Sequence, residues 1–143
     1  MNISTKTKIF IASVINKPIA FIIQTIFRTK IIIVKRFNIL WKLDITEGID
    51  FSIYLFGSFE RETSIAIKRL VKNNSIVIDI GANIGAHTLP IARLLNSSGK
   101  VFAIEPTSYA YSKLKENIKI NKDLENKIQA DQILLINGKN TNK

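Results

Sequence analysis

Asp79, Gly81, Asn83 and Gly85 fall within seven residues, directly after the apolar run Ile76-Val77-Ile78, and Glu105 closes a second apolar run, Val101-Phe102-Ala103-Ile104. A glycine lets the chain take positive φ and lets a ligand approach the backbone closely. A carboxylate at the end of the next strand can accept the hydroxyl protons of a ribose. These types at this spacing predict a nucleoside-cofactor pocket. Asp79 sharpens the reading, because an ionised carboxylate at the end of an apolar strand is costly without donors or a cation. A sulfonium cofactor with an amino group benefits from such an anion, whereas a dinucleotide fingerprint usually carries an apolar residue there. The alternative for Asp79 is a turn cap that accepts backbone N–H groups. A glycine bend can also serve only to pack a helix on a strand, and an acid can stand at a strand end by chance.

The elements that must position these residues alternate: strand Ile76 to Ile80, helix His87 to Leu95, strand Val101 to Glu105, helix Ser108 to about Asn121, and a weaker strand around Ile128 to Leu135. Alternation of this kind predicts a parallel sheet with crossover helices. The continuously apolar strands predict cover on both faces of that sheet. Thr107 or Ser108 is placed to cap the second helix after Pro106. Upstream, Asn38 to Ile45 and Phe51 to Phe56 read as two strands around the turn Thr46-Glu47-Gly48-Ile49-Asp50. Glu60 and Glu62 then open a helix to about Lys72, with acids in its first turn and Lys68, Arg69 and Lys72 near its end, as the helix dipole favours. Residues 1–37 form a basic, apolar leader predicted as helices broken at Pro18. Its apolar stretch is shorter than the roughly 18 residues of a membrane span, so it packs on the domain or lies at a membrane surface. The organisation is thus a leader (1–37), a hairpin and helix lead-in (38–72), a partial cofactor-binding domain (73–137) and a polar tail (138–143).

The net charge of +10 is unevenly placed. Residues 1–44 hold eight basic groups against Asp44 alone, whereas residues 45–138 hold 11 basic and 10 acidic groups. Phosphate binders place Lys and Arg on the binding face, so the near-neutral pocket region argues for no nucleic-acid partner. The chain has no cysteine and one histidine, which leaves neither a disulfide framework nor a ligand set for a metal. A cytoplasmic location is the default, with membrane association through the leader as the alternative.

Val77 to Leu89 (Val-Ile-Asp-Ile-Gly-Ala-Asn-Ile-Gly-Ala-His-Thr-Leu), followed by Phe102-Ala103-Ile104-Glu105-Pro106, resembles the FkbM family of S-adenosylmethionine-dependent methyltransferases. Trp41-Lys42-Leu43-Asp44, Tyr54 to Glu60, and Leu114-Lys115-Glu116-Asn117 with Asn121 resemble that family's lead-in and second helix, so the likeness covers roughly residues 38–137. The resemblance implies an α/β, Rossmann-like class I methyltransferase fold, with Asp79, Gly81, Asn83 and Gly85 at the methionine end of S-adenosylmethionine and Glu105 on its ribose. Asp131 would approach the adenine and Glu60 the pocket floor. It also implies O-methylation of a hydroxyl on a sugar or other small molecule, with no catalytic residue assigned. His87 reads first as a packing or capping residue, with a general base as the alternative.

Class I sheets have seven strands and the pattern here supplies about three. The chain therefore reads as an N-terminal portion that binds cofactor weakly or not at all and turns over no substrate. A nicotinamide-dependent oxidoreductase fragment and a noncatalytic membrane-surface remnant are the competing expectations.

Overall fold

The computed structural model describes residues 30–136. The predicted leader helices up to residue 29 and the polar tail lie outside the described residues. Strands β1 (Ile31–Arg36) and β2 (Ile39–Asp44) form an antiparallel hairpin in the register Ile31 opposite Asp44 and Arg36 opposite Ile39. Helices α1 (Gly48–Phe56) and α2 (Arg61–Leu70) follow. Then come β3 (Ile76–Ile80), α3 (Thr88–Leu94), β4 (Lys100–Ile104), α4 (Ser108–Ile120), the short α5 (Lys122–Glu125) and β5 (Ile128–Asp131). The three later strands pair in parallel in the order β3-β4-β5.

The hairpin is not where the sequence places it. Its turn is Phe37-Asn38, both with positive φ (49° and 60°), the backbone of a tight two-residue turn whose twist matches the flanking strands. Phenylalanine is not a usual residue for such a turn, which hid the signal. Residues 30–37 accordingly begin with a strand rather than a leader helix. Phe51 to Phe56, expected as a strand, is helical. A short apolar run is ambiguous between the two states, and Gly57 decides it: at φ 75° it ends the helix and donates its N–H to the Ile53 carbonyl.

Ile39, Trp41 and Leu43 alternate inward from β2 and are buried with Leu89, Leu95, Val101, Ala103, Leu114 and Leu124. Each such large side chain contributes about 1.5–3 kcal/mol by leaving water. The free edge of β2 is closed by side chains instead of another strand. Asn121, at the C-terminal cap of α4, and Asn117, four residues earlier on that helix, accept the N–H groups of Leu40 and Lys42 at 2.9 and 2.8 Å. Asp50 of α1 accepts that of Asp44 at 2.7 Å. Asn117 also donates to the Ile84 carbonyl, so the residue that seals the hairpin edge holds the glycine bend as well.

The parallel sheet is covered on one face only among the described residues. Ile76, Ile78 and Ile80 are 72%, 63% and 67% exposed, against the expectation of burial on both sides. An apolar strand shows that it needs cover; it does not show what provides the cover.

Candidate functional site

The turn after β3 is held open by backbone geometry. Gly81 (φ 77°), Asn83 (φ 50°) and Gly85 (φ 94°) all adopt the left-handed region. The N–H groups of Gly81 and Ala82 both donate to the Ile104 carbonyl, at 2.8 and 3.0 Å, which ties the bend to the end of β4. The two glycines differ in what they face. A Cβ on Gly81 would meet nothing within 4 Å, whereas one on Gly85 would stand 2.9 Å from Leu114 and 3.1 Å from Leu89. Gly81 therefore leaves room for a ligand, and Gly85 lets α3 and α4 close on the bend.

Glu105, one residue past β4, turns its carboxylate back toward the bend and is only 5% exposed. Its Oε2 accepts the Asn83 N–H at 2.9 Å. Its Oε1 accepts both the N–H and the hydroxyl of Thr107, at 2.9 and 2.6 Å. Burial pushes the carboxyl upward, but the Thr107 and Asn83 hydrogen bonds outweigh it and hold the group below its ordinary value. Each carboxylate oxygen has two acceptor positions. One on Oε2 thus remains for a ribose hydroxyl. The Thr107 hydroxyl does not cap α4 as expected; it orients Glu105.

Asp79 is on β3 and accepts the Thr88 hydroxyl at 2.5 Å. Thr88 is fully buried at the start of α3, and nothing local in the sequence marks it as the partner of a residue nine positions earlier. Glu60 precedes α2, accepts from the Thr63 hydroxyl and lies 3.6 Å from Nε2 of His87, whose ring packs beside Phe59. His87 thus joins α2 to the bend. Its Nδ1 is buried and has no hydrogen-bond partner among the described residues. Asp131 ends β5 beside Ile104 and takes a hydrogen bond from Gln129.

Next to the bend is a cavity of about 540 Å³ whose walls include Phe59, Asn83, Ile84, Thr107, Tyr109 and Lys113. Asn83 and Thr107 form part of this wall and also hold Glu105, so cavity and carboxylate share a partition. Sequence reasoning missed the ion pair at its base. Lys113 donates to Asp50 at 2.6 Å, with Asp50 1% exposed. The partners are 63 residues apart on two helices, beyond any local pattern. Among the described residues no cluster of three metal-binding side chains occurs.

A parallel Rossmann-like sheet with a left-handed glycine bend after its first strand and a clamped carboxylate after its second defines a class I methyltransferase domain. Within that class, residues 32–137 match the TRM5/TYW2 methyltransferase domain, and the chain belongs to that family. It is 31% identical over 113 residues to the tRNA(Phe) (4-demethylwyosine(37)-C(7)) aminocarboxypropyltransferase of Methanocaldococcus jannaschii, covering 71% of this chain and 43% of that protein. Among solved structures, TYW2 of P. horikoshii in complex with MeSAdo superposes with a TM-score of 0.59 at 26% identity, over 81% of this chain and 47% of that one. TYW2 of M. jannaschii in complex with AdoMet gives 0.54 at 31% identity, over 71% and 42%. The complex of aTrm5 with tRNALeu gives 0.52 at 31% identity, over 70% and 27%. The chain spans less than half the length of each of these proteins.

Two expectations change. The family is not FkbM: the bend and Glu105, which carried that resemblance, fit the class I fold at large, so they identify the class and the cofactor without the branch. The expectation of a small-molecule hydroxyl acceptor and no nucleic acid is overturned by relatives that are named for tRNA or solved with it. The charge argument failed because it averaged over all faces of residues 45–138, while phosphate contact depends on where the unpaired cations stand. The cofactor expected from the sequence, S-adenosylmethionine, is the ligand of the M. jannaschii structure.

Proposed function

We propose that this chain supplies the cofactor cradle of an S-adenosylmethionine-dependent transferase that modifies a base of tRNA. The observation that supports it most is Glu105, buried and oriented by Asn83 and Thr107 beside the open space over Gly81. The named activities of the relatives support the acceptor.

When bound, the cofactor supplies a carbon activated by a cationic sulfur that departs as a neutral thioether. The chain's own residues bind and orient. Glu105 accepts a ribose hydroxyl at the free position on Oε2. Gly81 lets the ligand lie against the backbone, and Asp79, fixed by Thr88, places a negative charge at the bend to favour an ammonium group. Phe59 and Ile84 give the adjoining cavity an apolar wall. Alignment is the main service such a cradle gives, since holding reactants in line removes much of the entropic barrier. The same cradle serves transfer of a methyl group, as the family name has it, or of a 3-amino-3-carboxypropyl group, as the M. jannaschii relative's name has it. The released nucleoside distinguishes them: S-adenosylhomocysteine in the first case, methylthioadenosine in the second.

The test is a two-dimensional amide NMR titration of the purified chain with S-adenosylmethionine up to millimolar concentration. Shifts confined to Gly81, Asn83, Gly85, Glu105 and Thr107 are expected, at an affinity weaker than micromolar. Unmoved amides at those positions refute the cradle.

A further inference from the structure

Phe37 is 72% exposed at the hairpin tip and sits at φ 49°. A bulky side chain at positive φ is a backbone outlier, and here burial does not offset the strain. The ring leans on Gly57, where no Cβ could be accommodated without displacing it. The Lys68 ammonium lies 5.7 Å from the ring centroid. Phe56, next to Gly57, is also exposed (62%).

Lys42, Arg93, Lys113 and Lys122 each pair with a carboxylate. Lys35, Arg61 and Lys68 are exposed and have no ion pair among the described residues, as is also true of Lys30, Arg69, Lys72, Lys115 and Lys119; Lys68 lies over the Phe37 ring itself. Arg61 and Lys68 are seven residues apart on α2, which puts them on one stripe of that helix. The surface also leads to the site. Two and three residues beyond Gly57, Phe59 lines the cavity and Glu60 meets His87.

We propose that the hairpin tip is a contact for single-stranded RNA, in which an unpaired base stacks on Phe37 while Lys35 and Lys68 take the flanking phosphates. The inference rests on the RNA-modifying reading and names the surface that reading requires. An aromatic platform beside free cations is how sequence-tolerant single-strand contacts are built. Strain at an exposed phenylalanine is then a functional feature, since asparagine would form the same turn more readily.

The experiment is fluorescence anisotropy of a labelled, mixed-sequence 12-nucleotide RNA with the full chain, compared with Phe37→Asn, Lys35→Gln and Lys68→Gln. Phe37→Asn keeps the turn and should weaken RNA binding about fivefold, the low end of the stacking energy per base. Each lysine variant should weaken it and reduce the salt slope by about 0.7, the value for one phosphate contact on a single strand. Amide shifts with S-adenosylmethionine should be unchanged in all three, because none touches the cradle. RNA binding that is equal in wild type and variants overturns the inference and leaves the RNA-modifying reading intact. No RNA binding by the wild type also overturns it, and the reading then stands or falls on the cofactor titration. Binding of phosphatidylglycerol vesicles that is lost in Phe37→Asn, with RNA binding unaffected, overturns it in favour of a lipid surface.

Discussion

The backbone N–H of Asn83, turned by a left-handed φ of 50°, meets Oε2 of Glu105 at 2.9 Å and joins the ends of two parallel strands. Through this bond the cofactor's expected ribose ligand is also a structural brace.

Glu105→Gln should therefore lower both folding stability and cofactor binding. An amide in place of the carboxylate cannot accept from Asn83 and both Thr107 donors, and an unsatisfied buried group costs about 1–3 kcal/mol. Urea unfolding at pH 7 measures it. The pH dependence has a definite sign. The folded carboxyl is held below its ordinary value of 4.5, so its proton binds more weakly in the folded state than in the unfolded one. Its stabilisation is fully present above pH 4.5 and is lost as pH falls through the folded value. The stability gap between wild type and Glu105→Gln should narrow over that acid range; a constant gap from pH 7 to 3 sinks the argument.

Alanine at the two glycines of the bend should separate binding from folding. Gly85→Ala combines positive φ with a Cβ 2.9 Å from Leu114, and should destabilise by about 2–4 kcal/mol from strain and overpacking together. Gly81→Ala meets open space, so it should lose only about 1–2 kcal/mol for its φ while abolishing the cofactor shifts. Thermal melts alongside the NMR titration compare them, and the same loss of stability in both would contradict the assignment.

Removing Lys113 should be among the most damaging single changes. Burial pushes the Asp50 carboxyl upward, and the Lys113 hydrogen bond, the Asp44 N–H and the Lys113 charge work against that. Lys113→Met leaves the carboxylate buried without its cation and should destabilise by about 3–5 kcal/mol. Asp50→Asn combined with Lys113→Met should recover most of the loss. Two single-variant losses that simply add in the double variant would show that the pair is not coupled.

The open sheet face predicts self-association. Ile76, Ile78 and Ile80 form an exposed apolar row along an edge strand, and such rows promote edge and face pairing. Ile78→Lys should leave the melting temperature within a few degrees and reduce concentration-dependent association in sedimentation velocity. An unchanged sedimentation profile would remove this face as the cause.

Much of the fold was legible because it is written in local chemistry. Continuous apolar runs marked β3 and β4, and the segments alternating with them marked α3 and α4. Asp79, Gly81 and Glu105 stood out because glycine and strand-end acids have few reasons to occur together. Within residues 31–56 the strand expected at Asn38 to Ile45 is present as β2, but Ile31 to Val34 and Phe51 to Phe56 were misread because both are short apolar runs. Their states were decided by a positive-φ Phe37-Asn38 turn and the Gly57 cap, neither of which the residue types demanded.

The sequence by itself determined the class of fold and the kind of cofactor, since both rest on backbone freedom and charge at positions close along the chain. Only the tertiary structure decided the partners: Thr88 for Asp79, Asn83 and Thr107 for Glu105, Lys113 for Asp50, and Leu114 with Leu89 against Gly85. Most of these contacts join residues brought together by the folding of separate elements. Their identity depends on packing directions that a one-dimensional pattern does not carry.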